Sequence, residues 1–168
     1  MNIAADTIPS EGLEITIDLD ASWATQAAAH ALEIEPTSLH GVVRVRRIAD
    51  ILKVQGSVRA SAVRSCERCG EQVELVLDAT DIELDYVPAD PDRGSGELRL
   101  GESDLDVGWY ENGALELSQV LSEVLALELP TRVVCLDPTP CDERVAELLA
   151  QAAPGVETSP FASLRDLF

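Results

Sequence analysis

Basic residues are scarce in this sequence, and their scarcity limits the partners that the protein can have. The 168 residues include 12 Lys and Arg against 31 Asp and Glu, which gives a formal net charge of −19 at pH 7. Non-specific binding to nucleic acid needs cations that displace counterions from phosphate, so this balance disfavours it and we expect no binding to DNA. The same charge favours solubility and a basic partner.

Long apolar runs are also lacking. No stretch approaches the roughly 20 consecutive apolar residues that a membrane-spanning helix needs. The first residues, Met1 to Glu11, contain neither a basic start nor an apolar centre, so we expect no signal peptide and no membrane segment. We therefore expect a cytoplasmic protein. In that reducing compartment a Cys-x-x-Cys pair is more often a metal or redox motif than a structural disulfide.

Motifs that identify enzymes are absent as well. The chain has two histidines, His30 and His40, and neither has a nucleophile or an acid near it in a catalytic pattern. Nothing resembles a phosphate-binding glycine loop or the histidine-containing helix of a metal-dependent hydrolase. We predict that the protein is not an enzyme.

Alternating apolar and polar residues predict a half-buried sheet. The alternation indicates strands over Leu13–Leu19, around Val43–Val45, over Leu52–Ala62 with a bend or bulge at Gly56, over Val73–Tyr86, and around Leu105–Trp109. In the fourth of these strands the apolar parity changes near Thr80-Asp81, which predicts a β-bulge. We predict an α+β fold built on an antiparallel β-sheet, with a partly closed barrel as one form of it.

Two helices complete the predicted fold. One covers about Ala21 to Leu32, with Asp20 as its cap, and the stronger one covers Leu117 to Leu127. A short helix is expected at Arg144–Gln151, and a loop at Pro88–Gly101. We predict a single α+β domain over residues 1–151, which includes the cysteine turns, followed by a linker and a short amphipathic segment at residues 152–168.

Four cysteines form the strongest candidate site. Cys66 and Cys69 are two residues apart and are followed at once by Gly70, which is typical of one half of a zinc site. Cys135 and Cys141 lie in a turn-rich run with two prolines, and four sulfurs would complete a tetrahedral shell. Their five-residue spacer is longer than the usual two to four.

Three interpretations of the cysteines remain open. A structural zinc site is favoured, because its closed shell of four sulfurs needs no catalytic water. A redox dithiol at Cys66 and Cys69 is less favoured, because a strand rather than a helix is predicted after it. The cysteines can also be small buried residues without a ligand.

Half of the twelve basic residues fall between Val42 and Arg64. One interpretation is a local basic face that touches RNA or another partner, with four candidate contacts: Arg44, Arg46, Arg59 and Arg68. The other, which we favour, is neutralisation by acids of the neighbouring strand, namely Glu71, Glu74, Asp78, Asp81 and Glu83. The acidic run Asp85–Asp106 indicates a solvated loop or a site for a basic partner.

Four segments of the chain together carry a family resemblance. They are the Ser65-Cys66-Glu67-Arg68-Cys69 turn, Tyr86-Val87-Pro88 with the following acidic stretch to Leu105-Asp106, the helix that ends in Leu127-Glu128-Leu129-Pro130, and Pro160-Phe161-Ala162-Ser163-Leu164. These segments resemble the bacterial YceD family, which is linked to accumulation of large-subunit ribosomal RNA. The chain departs from the family where many members have a second cysteine motif, CPxCG, and this chain has Cys141-Asp142-Glu143. The resemblance thus supports the fold and the first cysteine turn more directly than metal binding.

The resemblance implies a non-enzymatic factor that supports accumulation of large-subunit ribosomal RNA or ribosome assembly. Its partners would be precursor ribosomal RNA or components of large-subunit assembly. The alternative is an acidic protein-interaction adaptor unrelated to the ribosome, to which the net charge of −19 also points.

Overall fold

The computed structural model describes residues 1–89 and 107–152. In these ranges the strands are β1 (Asn2–Ala4), β2 (Leu13–Asp18), β3 (Ser38–Ile48), β4 (Ile51–Ser65), β5 (Gln72–Pro88), β6 (Val107–Tyr110) and β7 (Ala114–Glu116). The helices are α1 (Ser22–Leu32), α2 (Leu117–Leu127) and α3 (Pro138–Ala152), and a short 3-10 turn covers Ala5–Thr7. The predicted mixed α+β class is confirmed. No helix in the described ranges combines the length and the apolar character that crossing a membrane requires.

Five strands form one sheet in the order β2-β3-β4-β5-β6. The β2–β3 and β3–β4 pairs are antiparallel, as predicted. Strand β6 runs parallel to β5 instead, with Asp85 opposite Val107 and Pro88 opposite Tyr110, so the antiparallel prediction is wrong at this edge. Parallel neighbours need a long connection, and 18 residues separate Pro88 from Val107.

The sheet is open. Strands β2 and β6 are its two edges, and they do not pair with each other within the described residues. The barrel form of the prediction is therefore wrong for these strands. Two further short strands, β1 and β7, pair with each other and were not predicted, because three residues are too few to show an alternating pattern.

Helix α2 covers the apolar side of the sheet. It begins at Leu117 and ends at Leu127, the bounds that its apolar spacing predicts. The gap between helix and sheet is surrounded by aliphatic side chains of both: Ile17, Val43, Val54, Val58, Ile82, Leu117, Val120, Leu121 and Val124. Burying one such side chain contributes about 1.5–3 kcal/mol to stability, so this layer is the main stabilising element of the sheet.

The positions that are buried along β5 agree with the apolar positions predicted from the sequence. Leu75, Leu77 and Ala79 are buried at odd positions of β5, and Tyr86 is buried at an even position beyond Thr80-Asp81, so the predicted change of parity is confirmed. Of the bend or bulge predicted at Gly56, the bulge is wrong, since Gly56 lies opposite Val43 in an uninterrupted β3–β4 register, and the bend stays a prediction. Glycine is needed there for another reason, because a Cβ atom would overlap the backbone oxygen of Val42.

The start of α1 differs from the prediction in its cap. Asp18, rather than Asp20, provides the carboxylate: its Oδ1 accepts hydrogen bonds from the backbone N–H groups of Asp20 at 3.1 Å and Ala21 at 3.0 Å. Asp18 is the last residue of β2, so the strand end itself stabilises the turn into the helix. Buried alanines of α1, including Ala24 and Ala28, let it pack closely against α2.

The chain divides into two compact units. The sheet–helix unit consists of residues 1–64 and 74–131, and the cysteine unit consists of residues 65–73 and the described residues from 132 onward. The single domain predicted for residues 1–151 stays a prediction. The acidic loop beyond Ala89 and the C-terminal segment beyond Ala152 lie outside the described residues.

Candidate metal centre

The four cysteine sulfurs lie together in the cysteine unit. All four Sγ atoms of Cys66, Cys69, Cys135 and Cys141 are within 4.8 Å of one another. The Sγ atoms of Cys66 and Cys141 are 3.9 Å apart, and those of Cys69 and Cys135 are 3.5 Å apart. The structure thus brings together the two cysteine pairs that the sequence separates, and the cluster can hold a metal ion.

These separations fit a tetrahedral metal and do not fit disulfides. Zinc–sulfur bonds of about 2.3 Å at tetrahedral angles place neighbouring sulfurs about 3.8 Å apart. The Cys69–Cys135 separation of 3.5 Å and the Cys66–Cys141 separation of 3.9 Å bracket that value. A disulfide requires about 2.05 Å, and all four cysteines are free thiols.

The first pair is positioned by the turn between β4 and β5. The backbone N–H of Cys66 donates to the oxygen of Glu71 at 2.7 Å, and the N–H of Gly70 donates to the oxygen of Cys66 at 2.9 Å. Gly70 has a φ angle of 78°, a conformation that glycine adopts without a Cβ penalty. The turn therefore folds back beneath both sulfurs, as the Cys-x-x-Cys-Gly pattern predicts.

The second pair is positioned by the start of α3, which differs from the prediction. Cys141 lies in the first turns of a helix that begins at Pro138, rather than in a turn ahead of a helix at Arg144. The Asp137 carboxylate accepts the backbone N–H of Thr139 at 3.0 Å and so stabilises the helix start. Pro138 and Pro140 have no backbone N–H group. Because N–H groups in the first turn of a helix have no acceptor within the helix, both prolines are tolerated there.

Polar contacts within the cysteine unit join the two segments that carry the sulfurs. The backbone N–H of Glu67 donates to the oxygen of Val133 at 2.8 Å, and the N–H of Val133 donates to Oε1 of Glu67 at 3.2 Å. Arg68 forms an ion pair with Asp142. Cys66, Cys69 and Cys141 are buried and Cys135 is half-buried, and Val73 and Val145 pack against the cluster.

The local electrostatics divide the four thiols into two kinds. Hydrogen bonding lowers the pKa of Cys66 to about 6, chiefly through the backbone N–H of Cys69, and the backbone N–H of Glu71 lowers the pKa of Cys69. Burial raises the pKa of Cys141 to about 12 and also raises the pKa of Cys135. The lowered pKa values of Cys66 and Cys69 favour the thiolate, which is the form that binds metals.

Arg144 is the charged neighbour of the cluster. One of its terminal nitrogens, Nη2, lies 3.7 Å from Sγ of Cys135, and its Nε lies 3.8 Å from a carboxylate oxygen of Glu71. Nε is buried and has no hydrogen-bond acceptor within the described chain. The neighbouring sulfurs raise the pKa of Arg144, so it stays cationic beside them. Sequence reasoning missed this residue, whose only signal is that it follows Cys141 by three positions, one helical turn later.

Three of the four candidate arginine contacts lie on the sheet, and the fourth belongs to the cysteine unit. Arg44 pairs with Glu14 at 2.6 Å and Arg59 with Asp78 at 3.9 Å, both on the sheet. Arg46 is exposed opposite Lys53 and makes no ion pair with any described residue. Arg68 belongs to the cysteine unit. Of the acids predicted to neutralise the basic residues between Val42 and Arg64, Asp78 pairs with Arg59, whereas Glu71 pairs with Arg144 of α3 instead. Glu14, the partner of Arg44, was not among the predicted acids. Whether these arginines touch RNA stays a prediction.

Comparison with known proteins is consistent with the resemblance seen in the cysteine turn. A family model described as large ribosomal RNA subunit accumulation protein YceD matches residues 54–168, more than half of the chain. The matched range begins within β4 and contains all four cysteines and helices α2 and α3. No curated protein and no solved structure matches the chain. This chain therefore belongs to the YceD family of large ribosomal RNA subunit accumulation proteins.

Proposed function

We propose that this protein is a non-enzymatic, cytoplasmic factor that supports accumulation of large-subunit ribosomal RNA, or assembly of the large ribosomal subunit. The observation that carries the proposal is the family match over residues 54–168. Its partners would be precursor ribosomal RNA or components of large-subunit assembly. The open sheet, with Arg46 exposed and unpaired among the described residues, offers one surface for such a contact.

The second part of the proposal is a structural zinc ion held by Cys66, Cys69, Cys135 and Cys141. Four sulfur ligands suit zinc, and the separations of 3.5 and 3.9 Å suit its tetrahedral geometry. When bound, zinc would cross-link the turn between β4 and β5 to the start of α3. A shell of four protein ligands leaves no position for water or substrate, so this role is structural rather than catalytic.

The cellular experiment is depletion of the protein followed by measurement of the ratio of large- to small-subunit ribosomal RNA, together with a sucrose-gradient ribosome profile. We expect a selective fall in the large subunit, restored by the wild-type protein. An unchanged ratio would refute the ribosomal role and would favour an acidic adaptor for a partner outside the ribosome.

The metal experiment compares Cys66→Ser with Ser65→Ala, a neighbouring exposed position that contributes no sulfur. Protein purified without chelator should contain about one zinc per chain, and Cys66→Ser should lose it while Ser65→Ala keeps it. A wild-type content far below one zinc would refute the zinc site and leave the ribosomal role to be judged by the depletion experiment alone.

A further inference from the structure

Two sulfur contacts in the cysteine unit cross between the two segments that carry the cysteines. Sγ of Cys69, on the turn between β4 and β5, lies 3.5 Å from Sγ of Cys135, which precedes α3. Sγ of Cys66, on the same turn, lies 3.9 Å from Sγ of Cys141 in α3. The two contacts use each of the four sulfurs once, so each cysteine of the turn has its own partner in the second segment.

The sulfurs in these contacts are close to each other without being bonded. A disulfide places its sulfurs about 2.05 Å apart, so the Cys69–Cys135 and Cys66–Cys141 pairs would have to approach by about 1.5 Å and about 1.9 Å. Rotation of one cysteine side chain between staggered positions moves its sulfur by more than these distances. Side-chain rotation thus supplies the movement that two disulfides across the segments require.

Polar contacts hold the two segments together independently of the sulfurs. The backbone N–H of Glu67 donates to the oxygen of Val133, and the N–H of Val133 donates to Oε1 of Glu67. Arg68 forms an ion pair with Asp142. None of these contacts involves a sulfur, so they do not depend on whether the sulfurs hold a metal, a proton or each other. The cysteines of the two segments therefore stay neighbours when the sulfurs react.

One cysteine gives a small oxidant access to the cluster. Cys135 is half-buried, whereas the other three cysteines are buried. Nη2 of Arg144 lies 3.7 Å from Sγ of Cys135. When a thiolate attacks a peroxide, negative charge develops on the departing oxygen, and a fixed cation beside the sulfur stabilises that charge. The described surroundings of Cys135 therefore favour reaction with a hydroperoxide.

We propose that the four cysteines form a redox switch, in which hydrogen peroxide converts them into two disulfides, Cys69–Cys135 and Cys66–Cys141. In each pair one sulfur attacks a peroxide oxygen, the O–O bond breaks, and a sulfenic acid and one water are formed. The second sulfur then attacks the sulfenic sulfur, so that the S–S bond forms, the S–O bond breaks and a second water leaves. Each disulfide thus gives two electrons to one peroxide, and the two thiol protons end in the two water molecules.

This switch would release the metal and keep the cross-link between the segments. Sulfurs that are bonded to each other no longer bind zinc, and in this respect the inference rests on the zinc site of the proposed function. Both disulfides connect the turn to the second segment, whereas a Cys66–Cys69 bond would lie within the turn and leave the second segment unattached. A reducing dithiol restores the thiols by exchange, and such transient disulfides are the usual kind in a reducing compartment.

The test maps the disulfides of the full chain. Protein purified without chelator receives enough hydrogen peroxide for two disulfides per chain, and the remaining thiols are then blocked. Trypsin separates the two cysteines of the turn by cleavage after Arg68, and a protease that cleaves before aspartate separates the other two at Asp137. Mass spectrometry of the unreduced peptides identifies the linked pairs, and a chromophoric chelator measures released zinc.

The expected result is a loss of all four thiols, with the disulfides Cys69–Cys135 and Cys66–Cys141. About one zinc per chain should be released as the disulfides form, and a reducing dithiol should restore the thiols. A Cys66–Cys69 disulfide as the main product would overturn the proposal. So would oxidation of the cysteines to sulfinic acids without any disulfide.

A matched pair of variants tests the pairing a second time. Cys135→Ser and Cys141→Ser each leave three cysteines, and each removes one sulfur of the proposed zinc site. After the same oxidation Cys69 should remain a free thiol in Cys135→Ser, because its partner is lost, and Cys66 should remain a free thiol in Cys141→Ser. A Cys66–Cys69 disulfide in both variants would count against the crossed pairing.

Failure of this inference can be told apart from failure of the proposed function. If the untreated protein contains about one zinc per chain and peroxide gives a different pairing, the inference fails while the zinc site stands. If the untreated protein contains far less zinc and the two crossed disulfides still form, the zinc site fails while the pairing stands. The ribosomal role is decided separately by the depletion experiment.

Discussion

The two units of the chain reach their stability by different routes. The sheet–helix unit buries aliphatic side chains from its strands and both of its helices, with Leu39, Leu52, Leu117 and Leu125 almost fully enclosed. In the cysteine unit the described residues supply four buried side chains, of which three are cysteines: Cys66, Cys69, Val133 and Cys141. A segment with so little buried apolar surface usually needs a metal or a disulfide to stay folded.

This difference indicates that a metal cross-link would stabilise the cysteine unit more than the sheet–helix unit. In the sheet–helix unit many aliphatic side chains form the core, so the loss of one contact leaves most of the core intact. In the cysteine unit the cysteines form most of the core. A metal at that position would replace missing hydrophobic stabilisation, since metal-binding free energy becomes folding free energy when the unfolded chain has no preformed site.

The largest effect is expected from removing the proposed metal. A strong chelator should speed hydrogen exchange at residues 65–73 and 138–145 without removing their protection altogether, while β3 and β4 up to residue 64 exchange as before, because the aliphatic core does not depend on the ion. Peptide-resolved mass spectrometry measures this. Cys141→Ser should give the same pattern without chelator, and unchanged protection of α3 after metal loss would contradict the comparison.

The reciprocal change acts on the sheet–helix unit alone. Leu121→Ala removes a side chain that is 3% exposed, and its cavity should lower the free energy of unfolding by about 2–5 kcal/mol. The proposed zinc should stay bound in this variant. Leu127→Ala is the matched control on the same helix, since Leu127 is 83% exposed and its loss should cost within about 0.5 kcal/mol. Denaturant titration distinguishes them, and equal losses would contradict the assigned core.

A smaller effect is expected from Arg144→Gln, which removes the cation beside Cys135 but leaves all four sulfurs. Four thiolates around the proposed zinc would carry an excess of negative charge, which Arg144, whose Nη2 lies 3.7 Å from Sγ of Cys135, would offset. Metal affinity should fall about 10- to 100-fold in competition with a chromophoric chelator. Arg68→Gln is the control, because Arg68 pairs with Asp142 and not with a sulfur. Equal loss in both variants would argue against charge compensation.

The smallest expected effect compares two cysteines of the metal-free protein. Cys66 and Cys141 are both 2% exposed, but their pKa values are about 6 and about 12. At neutral pH iodoacetamide should therefore alkylate Cys66 about tenfold faster or more, as read by peptide mass spectrometry. Similar rates at the two positions would contradict the assigned thiolate.

The lowered pKa of Cys66 also sets the direction of a pH effect on the metal-free cysteine unit. A thiol whose folded-state pKa lies below its ordinary value of 9.0 stabilises the folded state as thiolate. That contribution is fully present above pH 9 and is lost as the pH falls through about 6. Protection of residues 65–73 in the metal-free protein should therefore decrease on acidification.

Parts of this fold could be predicted from the sequence because their signals are local. Helix α2 repeats its apolar face every three or four residues, and its bounds agree with the prediction. Strand β5 shows its change of parity in the order of its residues. The direction of β6 could not be predicted, because it depends on how β6 meets β5 after a long connection rather than on the residues Val107–Tyr110 themselves.

In the candidate site, too, only local features could be predicted from the sequence. The placement of Cys66 and Cys69 on one turn follows from their spacing and from Gly70. Cys141 was placed in a turn because Pro138 and Pro140 usually interrupt helices, whereas at the first turn of α3, with Asp137 as the capping side chain, they are tolerated. Once α3 is known to begin at Pro138, the position of Arg144 beside the sulfurs follows from helix geometry.

The reciprocal hydrogen bonds between Glu67 and Val133 have a consequence for the rate at which an ion is captured. They close a loop between positions 66 residues apart, so part of the entropy of bringing the two cysteine pairs together is lost before any metal arrives. The second pair then faces the first at a high effective concentration. An ion that binds Cys66 and Cys69 would therefore meet Cys135 and Cys141 by a short local search, and metal-free chains would be filled rapidly even where free zinc is scarce.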